Sequence, residues 1–473
     1  MATRSESRGS RAPASERPQR GEILELEVAD LAHGGAGVAR RDGYVVFVAG
    51  GLPGDRVLAA IEKARRDFAH ARVTEVVRPS DDRVPERCDH GGAGCPGSPW
   101  QALRYEKQLE HKERQVADAL ARLGGLAGHT VEPIAPASEQ WRYRNKLEYS
   151  FGRDPDTEGE PLVLGFHARG RWDEIEDARD CMLASERGNA VRNLVRDWCA
   201  QEGLSVYDRR GGMGLLRNLV VREGRRTGGL QLRLVTSEGE FDVEALAAAV
   251  RARFPEAGVL WTETSQRAEV SHGGTTSVVA GARQLEEGIA GLRFRISPEA
   301  FFQTNTEMAE VLYRLAGDYA ELGGSERVYD VYCGIGTLSL VLALRAAEVW
   351  GIDVTEEAIA DAIANAQLNE VENVNYFAGN ARTAIRPLAE RAPRPDVVVV
   401  DPPRAGLSQK VVRRLLETNP KRIVYVSCNP TTLAPDAAQI VAGGLRLVKV
   451  RPVDMFPHTP HIECVALFSR DRG

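Results

Sequence analysis

Apolar and polar residues alternate in short runs near the N-terminus of the chain. Glycine-rich turns separate these runs, which are Glu22–Val28, Gly43–Val48 and Arg56–Ile61. An alternation with a period of two is typical of strands that bury one face and expose the other. Strands this short and this closely spaced predict a small antiparallel barrel, which we place at residues 21–80.

A different pattern occupies residues 291–473, where apolar strands alternate with helices rich in alanine and leucine. The predicted strands are Arg327–Tyr332, Glu348–Asp353, Val374–Phe377, Asp396–Val400 and Arg422–Ser427. Strands that alternate with helices indicate an α/β fold with a parallel sheet and crossover helices. The ligand crevice of such a sheet lies at the carboxyl ends of its strands.

The remaining parts of the chain are a middle region and a short leader. Residues 81–290 mix strands with helices, including a charged helical stretch from Trp100 to Leu123, and predict an α+β central domain. Residues 1–20 hold five arginines and almost no large apolar residue, which is typical of a disordered basic tail. This tail is either a solvated leader or an arm that contacts RNA.

Composition indicates a cytoplasmic enzyme without a membrane span, and we expect a monomer. The chain has 473 residues, 43% hydrophobic and 27% charged, and no apolar stretch approaches the roughly 18 residues of a membrane span. Its seven cysteines lack the dense spacing of a secreted disulfide framework, so reduced thiols, a metal site or catalysis are favoured. A net charge of −6 argues against general nucleic-acid affinity but allows a local basic surface. Candidates for that surface are Lys63, Arg65, Arg66, His70 and Arg72.

A strand, a glycine turn and a helix follow one another in residues 328–337, Val-Tyr-Asp-Val-Tyr-Cys-Gly-Ile-Gly-Thr. Closely spaced glycines let a ligand approach the backbone, and Asp353 at the end of the next strand can accept hydrogen bonds from ribose hydroxyls. A dinucleotide site has the same parts, but its third glycine is missing here, because Leu338 and Ser339 follow the turn. The acid before the turn, Asp330, is typical of sheets that bind S-adenosylmethionine.

The fourth predicted strand ends in Asp401-Pro-Pro-Arg404. Two prolines keep the loop extended and rigid at the rim of the sheet, where a flipped-out base could be bound along its polar edge. Methyltransferases that act on amines carry an aromatic residue where this chain has Arg404. The sequence therefore favours a base over an amine.

The fifth predicted strand ends at Cys428, and Glu463 follows late in the chain. A thiol can add to an electron-poor ring carbon and leave again, while a carboxylate can remove the proton that a substitution on that ring releases. Taken alone, Cys428 could be a small buried apolar residue and Glu463 a surface acid. Asn429 and Pro430 end the strand directly after Cys428, which favours a thiol exposed at the crevice.

Together these motifs resemble the RNA uridine C5-methyltransferase family over nearly all of the chain after residue 20. The family motifs present are Phe301-Phe-Gln-Thr-Asn305, Asp401-Pro-Pro-Arg404, Ser427-Cys-Asn-Pro430 and Phe456-Pro-His-Thr-Pro-His-Ile-Glu463. The resemblance implies a Rossmann-like methyltransferase sheet and an N-terminal OB-like barrel of the TRAM type, an RNA-binding module. It makes Cys428 the nucleophile that adds to uracil C6 and Glu463 the base. The implied S-adenosylmethionine-binding residues are Gln303, Tyr332, Asp353, Asp401, Thr337 and Asn380.

The resemblance also suggests the substrate, a uridine of structured RNA. The TRAM-like start favours 23S ribosomal RNA, because bacterial relatives that act on the tRNA T-loop usually lack this module. Methylation of the tRNA T-loop is the first alternative. An RNA-binding or RNA-folding factor without catalysis is the second.

Two departures from the family motifs concern cysteines and a helix. Many relatives bind a 4Fe–4S cluster with four cysteines, and Cys88, Cys95 and Cys181 match three of them. Ser98 stands where the third cysteine of the first run is expected, so these residues are either cluster ligands or remnants in a packed loop. After Cys428, Pro435 replaces an arginine that relatives commonly place before Asp436, which removes a cation that could hold a substrate phosphate.

Overall fold

The computed structural model describes residues 17–88, 95–168, 173–268 and 271–470. The chain divides into two compact units: one extends to Gln115 and includes Pro457–His461, and the other holds Val116–Phe456 and the residues from Ile462 onward. The first sixteen residues of the predicted basic tail lie outside the described residues. The domain boundaries drawn from the sequence remain predictions. None of the helices in the described ranges is long and apolar enough to cross a membrane.

The first unit contains a closed five-stranded barrel. Its strands are β1 (Ile23–Leu31), β2 (Gly37–Arg41), β3 (Tyr44–Ala49), β4 (Arg56–Ala64) and β5 (Phe68–Arg78). They follow the order β1-β2-β3-β5-β4, and pairing of β4 with β1 closes the barrel. The barrel is not wholly antiparallel as predicted, because β3 and β5 are parallel. Alternate side chains fill its interior, among them Val28, Val46 and Ile61, as the period-two pattern predicts.

Helix α1 (Tyr105–Arg122) lies within the predicted helical stretch, and the short strand β6 (Thr130–Val131) follows it. The residues just before the helix form a small apolar cluster in the first unit around the fully buried Trp100. The Trp100 indole N–H donates a hydrogen bond to the Gly35 carbonyl at 3.1 Å. This bond satisfies the one polar group of a large buried side chain.

The second unit begins with the central α+β region. Its elements are β7 (Lys146–Arg153), β8 (Leu162–His167), β9 (Ile175–Asp177), α2 (Glu186–Gln201), β10 (Leu216–Glu223), β11 (Leu230–Thr236), α3 (Val243–Arg253), β12 (Gly258–Glu263) and β13 (Thr275–Ala280). The strands form one sheet in the order β13-β12-β11-β10-β7-β8-β9, antiparallel except between β11 and β12. Its buried leucines and valines pack against α2 and α3.

The C-terminal region starts with a hairpin, and strands and helices then alternate. The elements are β14 (Leu285–Ile289), β15 (Leu292–Ile296), α4 (Thr306–Ala320), β16 (Arg327–Val331), α5 (Thr337–Ala343), β17 (Glu348–Asp353), α6 (Glu356–Leu368), β18 (Val374–Ala378), α7 (Ala381–Arg391), β19 (Val397–Val400), α8 (Gln409–Glu417), β20 (Arg422–Ser427), α9 (Pro430–Ala442), β21 (Arg446–Val453) and β22 (Glu463–Ser469). The five strands predicted here match β16–β20 to within one residue at either end.

Strands β16–β22 and the short strand β6 form one eight-stranded sheet in the order β18-β17-β16-β19-β20-β22-β21-β6. Strands β16–β20 are parallel, whereas β22 is antiparallel to both β20 and β21. Apolar clusters cover both faces of the sheet, which explains why its central strand β19 is a continuous run of four valines. The predicted fold class is confirmed: an α/β C-terminal sheet, an N-terminal barrel and a central α+β region.

Candidate active site

Four of the predicted site residues lie at the carboxyl ends of neighbouring parallel strands. Tyr332 directly follows β16, Asp353 ends β17 and Asp401 directly follows β19, while Asn380 lies two residues beyond β18. Because β18, β17, β16 and β19 are consecutive in the sheet, these residues share one edge. This is the edge at which open α/β sheets bind ligands.

The glycine turn between β16 and α5 is tightly packed. Gly336 has a φ of +80° and caps the helix that Thr337 begins, and a Cβ at Gly336 would lie 2.4 Å from the Tyr376 hydroxyl. Tyr332 also has a positive φ, +73°, and its backbone N–H donates to the Ile352 carbonyl at 2.8 Å. The turn therefore brings bare backbone to the ligand edge, where a side chain at position 336 would not fit.

One carboxylate oxygen of Asp353 is bonded to this turn, and the other is bonded to the residue that caps α6. Its Oδ2 accepts the Gly334 backbone N–H at 3.0 Å, and its Oδ1 accepts the Thr355 N–H at 2.9 Å. Each oxygen has two lone pairs, so both can still accept a hydrogen bond from a ligand hydroxyl. The next side chain, Val354, is 62% exposed and offers an apolar surface beside the acid. Val354 has no motif signal and was not predicted.

Asp330 lies beneath the turn as a buried acid. Its Oδ2 accepts the Ser339 hydroxyl at 2.5 Å, whereas its Oδ1 has no hydrogen-bond partner in the described part of the chain. Burial raises the pKa of Asp330 to about 7. A buried oxygen without a partner is a place for a polar group of a ligand, so the residues around the glycine turn fit a small polar molecule such as S-adenosylmethionine.

Gln303 precedes α4 and is held from the central region. The Asn145 amide Nδ2 donates to the Gln303 carbonyl at 2.9 Å and to the Thr306 hydroxyl at 2.8 Å, and all three residues are buried. Asn305 caps α4 and donates to the Met455 carbonyl at 2.9 Å. Asn145 thus positions the loop that carries Gln303, a role with no sequence signal.

Cys428 and Glu463 meet through strand register. Ser427, the last residue of β20, pairs with Cys464 of the antiparallel strand β22. Cys428 follows Ser427 and Glu463 precedes Cys464, so the two side chains occupy adjacent positions at the ligand edge. Cys428 is half-buried and Glu463 is buried, which contradicts the alternative of a surface acid.

Desolvation disfavours ionisation of Cys428 and of the acidic groups near it. Burial, with the nearby Glu463 and Asp401 carboxyls, raises the pKa of the Cys428 thiol to about 11, and the Arg404 cation opposes this shift. Burial and Asp401 also raise the pKa of Glu463 well above its usual value. Burial and Asp330 raise the pKa of Asp401 to about 7. Without substrate, the thiol is therefore mostly protonated at neutral pH, and burial favours the neutral form of Glu463.

Helix α9 anchors the loop of Asp401-Pro-Pro-Arg404. The Arg404 carbonyl accepts hydrogen bonds from Asn429 Nδ2 and Thr432 Oγ1, both at 3.3 Å. The buried Asp436 Oδ2 accepts the Leu407 backbone N–H at 2.7 Å, so the far end of the loop is also fixed.

The same Asp436 oxygen accepts the Tyr425 hydroxyl at 2.8 Å. Helix α9 continues through Pro435, which stands where relatives commonly have an arginine. This replacement therefore leaves the hydrogen bonds of Asp436 intact. Asp436 was not predicted as a site residue.

The structure does not support the predicted iron–sulfur cluster. Across the described residues, no group of three or more His, Cys, Asp or Glu side chains is arranged to hold a metal ion. Cys88, Cys95 and Cys181 are all buried, and the Cys95 thiol lies 3.7 Å from the Ser98 hydroxyl. The prediction came from family resemblance, which left remnants in a packed loop as the alternative, and Ser98 replaces one of the four thiolates that the usual cluster needs.

Comparison with known proteins gives consistent matches. The family model for tRNA (uracil-5-)-methyltransferases matches residues 283–471, and the TRAM domain model matches residues 17–74. A Bacillus cereus protein described as an uncharacterized RNA methyltransferase is 37% identical over 454 residues, which covers 96% of this chain and 97% of the relative. A Porphyromonas gingivalis protein with the same description is 39% identical over 465 residues, with 94% and 100% coverage.

Among solved structures, the chain is similar to the tRNA (uracil-54, C5)-methyltransferase of Pyrococcus abyssi in complex with S-adenosyl-L-homocysteine. The TM-score is 0.75 and the sequence identity is 28%, with 94% of this chain and 100% of the other covered.

Proposed function

The chain belongs to the RNA uracil-5-methyltransferase family, as its motifs predicted, and we propose that it methylates C5 of one uridine through a covalent bond between Cys428 and C6. It is an S-adenosylmethionine-dependent RNA methyltransferase. The observation that supports the proposed mechanism is the pairing of Ser427 with Cys464, which sets Cys428 beside Glu463.

Cys428 starts the reaction. Uracil C5 is a poor nucleophile until a sulfur adds to C6 and turns the ring into an enolate. The thiol loses its proton to solvent as the sulfur–carbon bond forms, and bound S-adenosylmethionine would then supply its methyl group to C5 and leave as S-adenosylhomocysteine. Arg404 favours the thiolate, because its cation lowers the pKa of Cys428 against the larger effect of burial.

Glu463 completes the reaction in our proposal. The methylated C5 still carries its hydrogen, and a carboxylate beside Cys428 can remove it while the sulfur–C6 bond breaks. Glu463 must be ionised for this step, although burial favours its neutral form in the free enzyme. We propose that the Arg404 cation and the bound substrate stabilise its charge.

Asp401 is proposed to donate to uracil O4, where negative charge develops during addition. A carboxyl whose pKa is raised to about 7 carries a proton in a large fraction of molecules at neutral pH, and it can then donate a hydrogen bond. Such a donor at a forming enolate oxygen lowers the barrier electrostatically.

The donor is proposed to bind along the neighbouring strand ends. Asp353 would accept the ribose hydroxyls, and the exposed face of Val354 would pack against the adenine ring. The polar part would extend over the glycine turn toward Asp401. The other residues that we assign to this site are Gln303, Tyr332, Thr337 and Asn380.

The target uridine must leave its stack to reach Cys428. Extruding a nucleotide costs a few kcal/mol and is least costly in loops. Phe301, two residues before Gln303, is 71% exposed and offers a ring on which the extruded base can stack.

We propose 23S ribosomal RNA as the substrate, in line with the TRAM domain at residues 17–74. The second candidate is tRNA, because the similar Pyrococcus abyssi enzyme is a tRNA methyltransferase. A non-catalytic RNA-folding factor is disfavoured, since Cys428, Glu463 and Asp401 are assembled at one edge.

The substrate is tested by incubating purified protein with radiolabelled S-adenosylmethionine and total RNA. The RNA comes from cells that lack the protein. Label in 23S RNA, located at one nucleotide by nuclease protection, supports the proposal. Label only in tRNA supports the second candidate. The Cys428→Ala variant is the matched control, and label in neither RNA with the wild-type protein contradicts both.

A further inference from the structure

One part of the barrel surface carries three aromatic rings outside the core. Strands β3 and β5 run parallel, with Phe47 directly opposite His70 and Val45 opposite Phe68. Interior and exterior side chains alternate along β3, where Val46 and Val48 are buried. Phe47 and Phe68 therefore point outward, where they remain half-buried, and His70 is exposed.

These rings contact one another rather than the barrel interior. The centroids of Phe47 and His70 are 5.6 Å apart in a stacked arrangement. Phe68 meets both rings edge-on, at 5.7 Å from Phe47 and 5.4 Å from His70. We call Phe47, Phe68 and His70 the aromatic triad. A triad on a barrel exterior contributes little to the core, and its exposed ring faces are available for stacking.

Cations border the triad. Lys63 pairs with His70 across β4 and β5, and Arg65 and Arg66 lie in the turn that joins these strands. Within the described ranges, these three side chains form no ion pair, although Arg72 on the same face pairs with Glu62 at 2.7 Å. The turn is held in shape by the Tyr44 hydroxyl, which donates to the Arg65 carbonyl at 2.8 Å.

We propose that the aromatic triad binds an unpaired base of the RNA substrate, with Lys63, Arg65 and Arg66 contacting the adjoining phosphates. Aromatic rings beside unpaired cations on a small barrel suit single-stranded RNA, because bases stack on the rings while cations neutralise the backbone. Because the net charge is −6, RNA binding depends on local basic surfaces of this kind. The proposal rests on RNA being the substrate but not on which RNA is methylated. It adds a contact for a nucleotide other than the target uridine.

The test is the affinity of the full-length protein for a fluorescent single-stranded oligoribonucleotide of about 12 nucleotides. The double variant Phe47→Leu/His70→Ala removes two rings and keeps an apolar side chain at position 47. We expect it to bind roughly tenfold more weakly, with an unchanged slope of log affinity against log salt. Lys63→Ala should instead lower that slope by about 0.7.

Ile23→Ala is the matched control, because Ile23 is an apolar side chain on β1 of the same barrel and is 60% exposed. It should bind the oligonucleotide as the wild type does. Wild-type affinity in the double variant, with an unchanged melting temperature, would overturn the proposal. So would a double variant whose loss of affinity comes with a reduced salt slope, because that effect would be electrostatic. Binding is measured without methyl donor, so failure of the proposed methylation would appear separately, as absent label in RNA.

Discussion

Cys428 and Glu463 are neighbours only because strand β22 enters the sheet antiparallel to β20. The pairing of Ser427 with Cys464 fixes that register. A shift of one residue would turn every side chain of β22 to the opposite face of the sheet, and Glu463 would leave the site. The sheet therefore positions both reacting groups through backbone hydrogen bonds instead of flexible loops.

Arg404→Gln should shift the pH dependence of methyl transfer. Burial raises the pKa of Cys428 to about 11, and the Arg404 cation opposes this effect. Loss of the cation should therefore raise the pKa of Cys428 further. Since the thiolate is the reactive form, kcat/KM increases with pH, and this increase should move to higher pH in the variant. At pH 8 we expect a decrease of roughly three- to tenfold.

Arg404→Lys keeps the cation and should restore most of the pH profile. Arg413→Gln, on the exposed surface of α8, serves as the control for loss of an arginine. A profile for Arg404→Gln that is lowered equally at every pH would contradict this role and indicate a loss of RNA contact.

Asn145→Ala should weaken binding of the donor. It removes two buried hydrogen bonds, to the Gln303 carbonyl and the Thr306 hydroxyl, each of which contributes about 1 kcal/mol. Equilibrium dialysis with S-adenosylhomocysteine should show a Kd raised by about tenfold. Asn193→Ala on α2 removes an amide that, within the described part of the chain, forms hydrogen bonds with Arg179 and Arg192, and it should leave this Kd unchanged.

Gly336→Ala should destabilise the protein, and Tyr376→Phe should partly reverse the loss. The new Cβ would lie 2.4 Å from the Tyr376 hydroxyl, and the next atoms are 3.0 Å away. Gly334→Ala is the control, because its φ is also positive but no atom lies within 4 Å of its Cβ. Thermal unfolding should therefore rank Gly334→Ala above Gly336→Ala in stability. An equal melting temperature for the two variants would show that steric crowding is not the cause.

Asp401→Asn should change how stability depends on pH. In the folded protein the pKa of Asp401 is raised to about 7, whereas the unfolded chain ionises near its usual value of about 4. Between these values the unfolded state loses its proton first, so the contribution of Asp401 to the free energy of unfolding falls as pH rises. The melting temperature of the variant minus that of the wild type should thus increase from pH 5 to pH 8, by about 2 °C or more. A constant difference between the two proteins across this range would contradict the raised pKa.

The sequence predicted those features that depend on local patterns. Apolar strands that alternate with helices marked the parallel sheet, and the glycine turn and Asp401 mark strand ends. The adjacency of Cys428 and Glu463 came from family resemblance, because the register of β22 depends on long-range pairing.

Other contacts had no local signal. Asn145 acts on a carbonyl 158 residues away along the chain. Asp436, on helix α9, accepts a hydrogen bond from Leu407, which lies in a loop 29 residues earlier in the chain. The iron–sulfur prediction failed to gain support for a related reason, since cysteine spacing says nothing about how side chains converge in space.

Covalent trapping with Glu463→Gln tests the roles of Cys428 and Glu463 most directly. With the base removed, addition and methyl transfer should proceed while elimination stops, so a protein–RNA adduct should accumulate in the presence of S-adenosylmethionine. It should migrate as a shifted band on a denaturing gel and be absent from the Cys428→Ala/Glu463→Gln double variant. Loss of turnover in Glu463→Gln without any shifted band would contradict proton removal by Glu463, and a shifted band in the double variant would contradict Cys428 as the nucleophile.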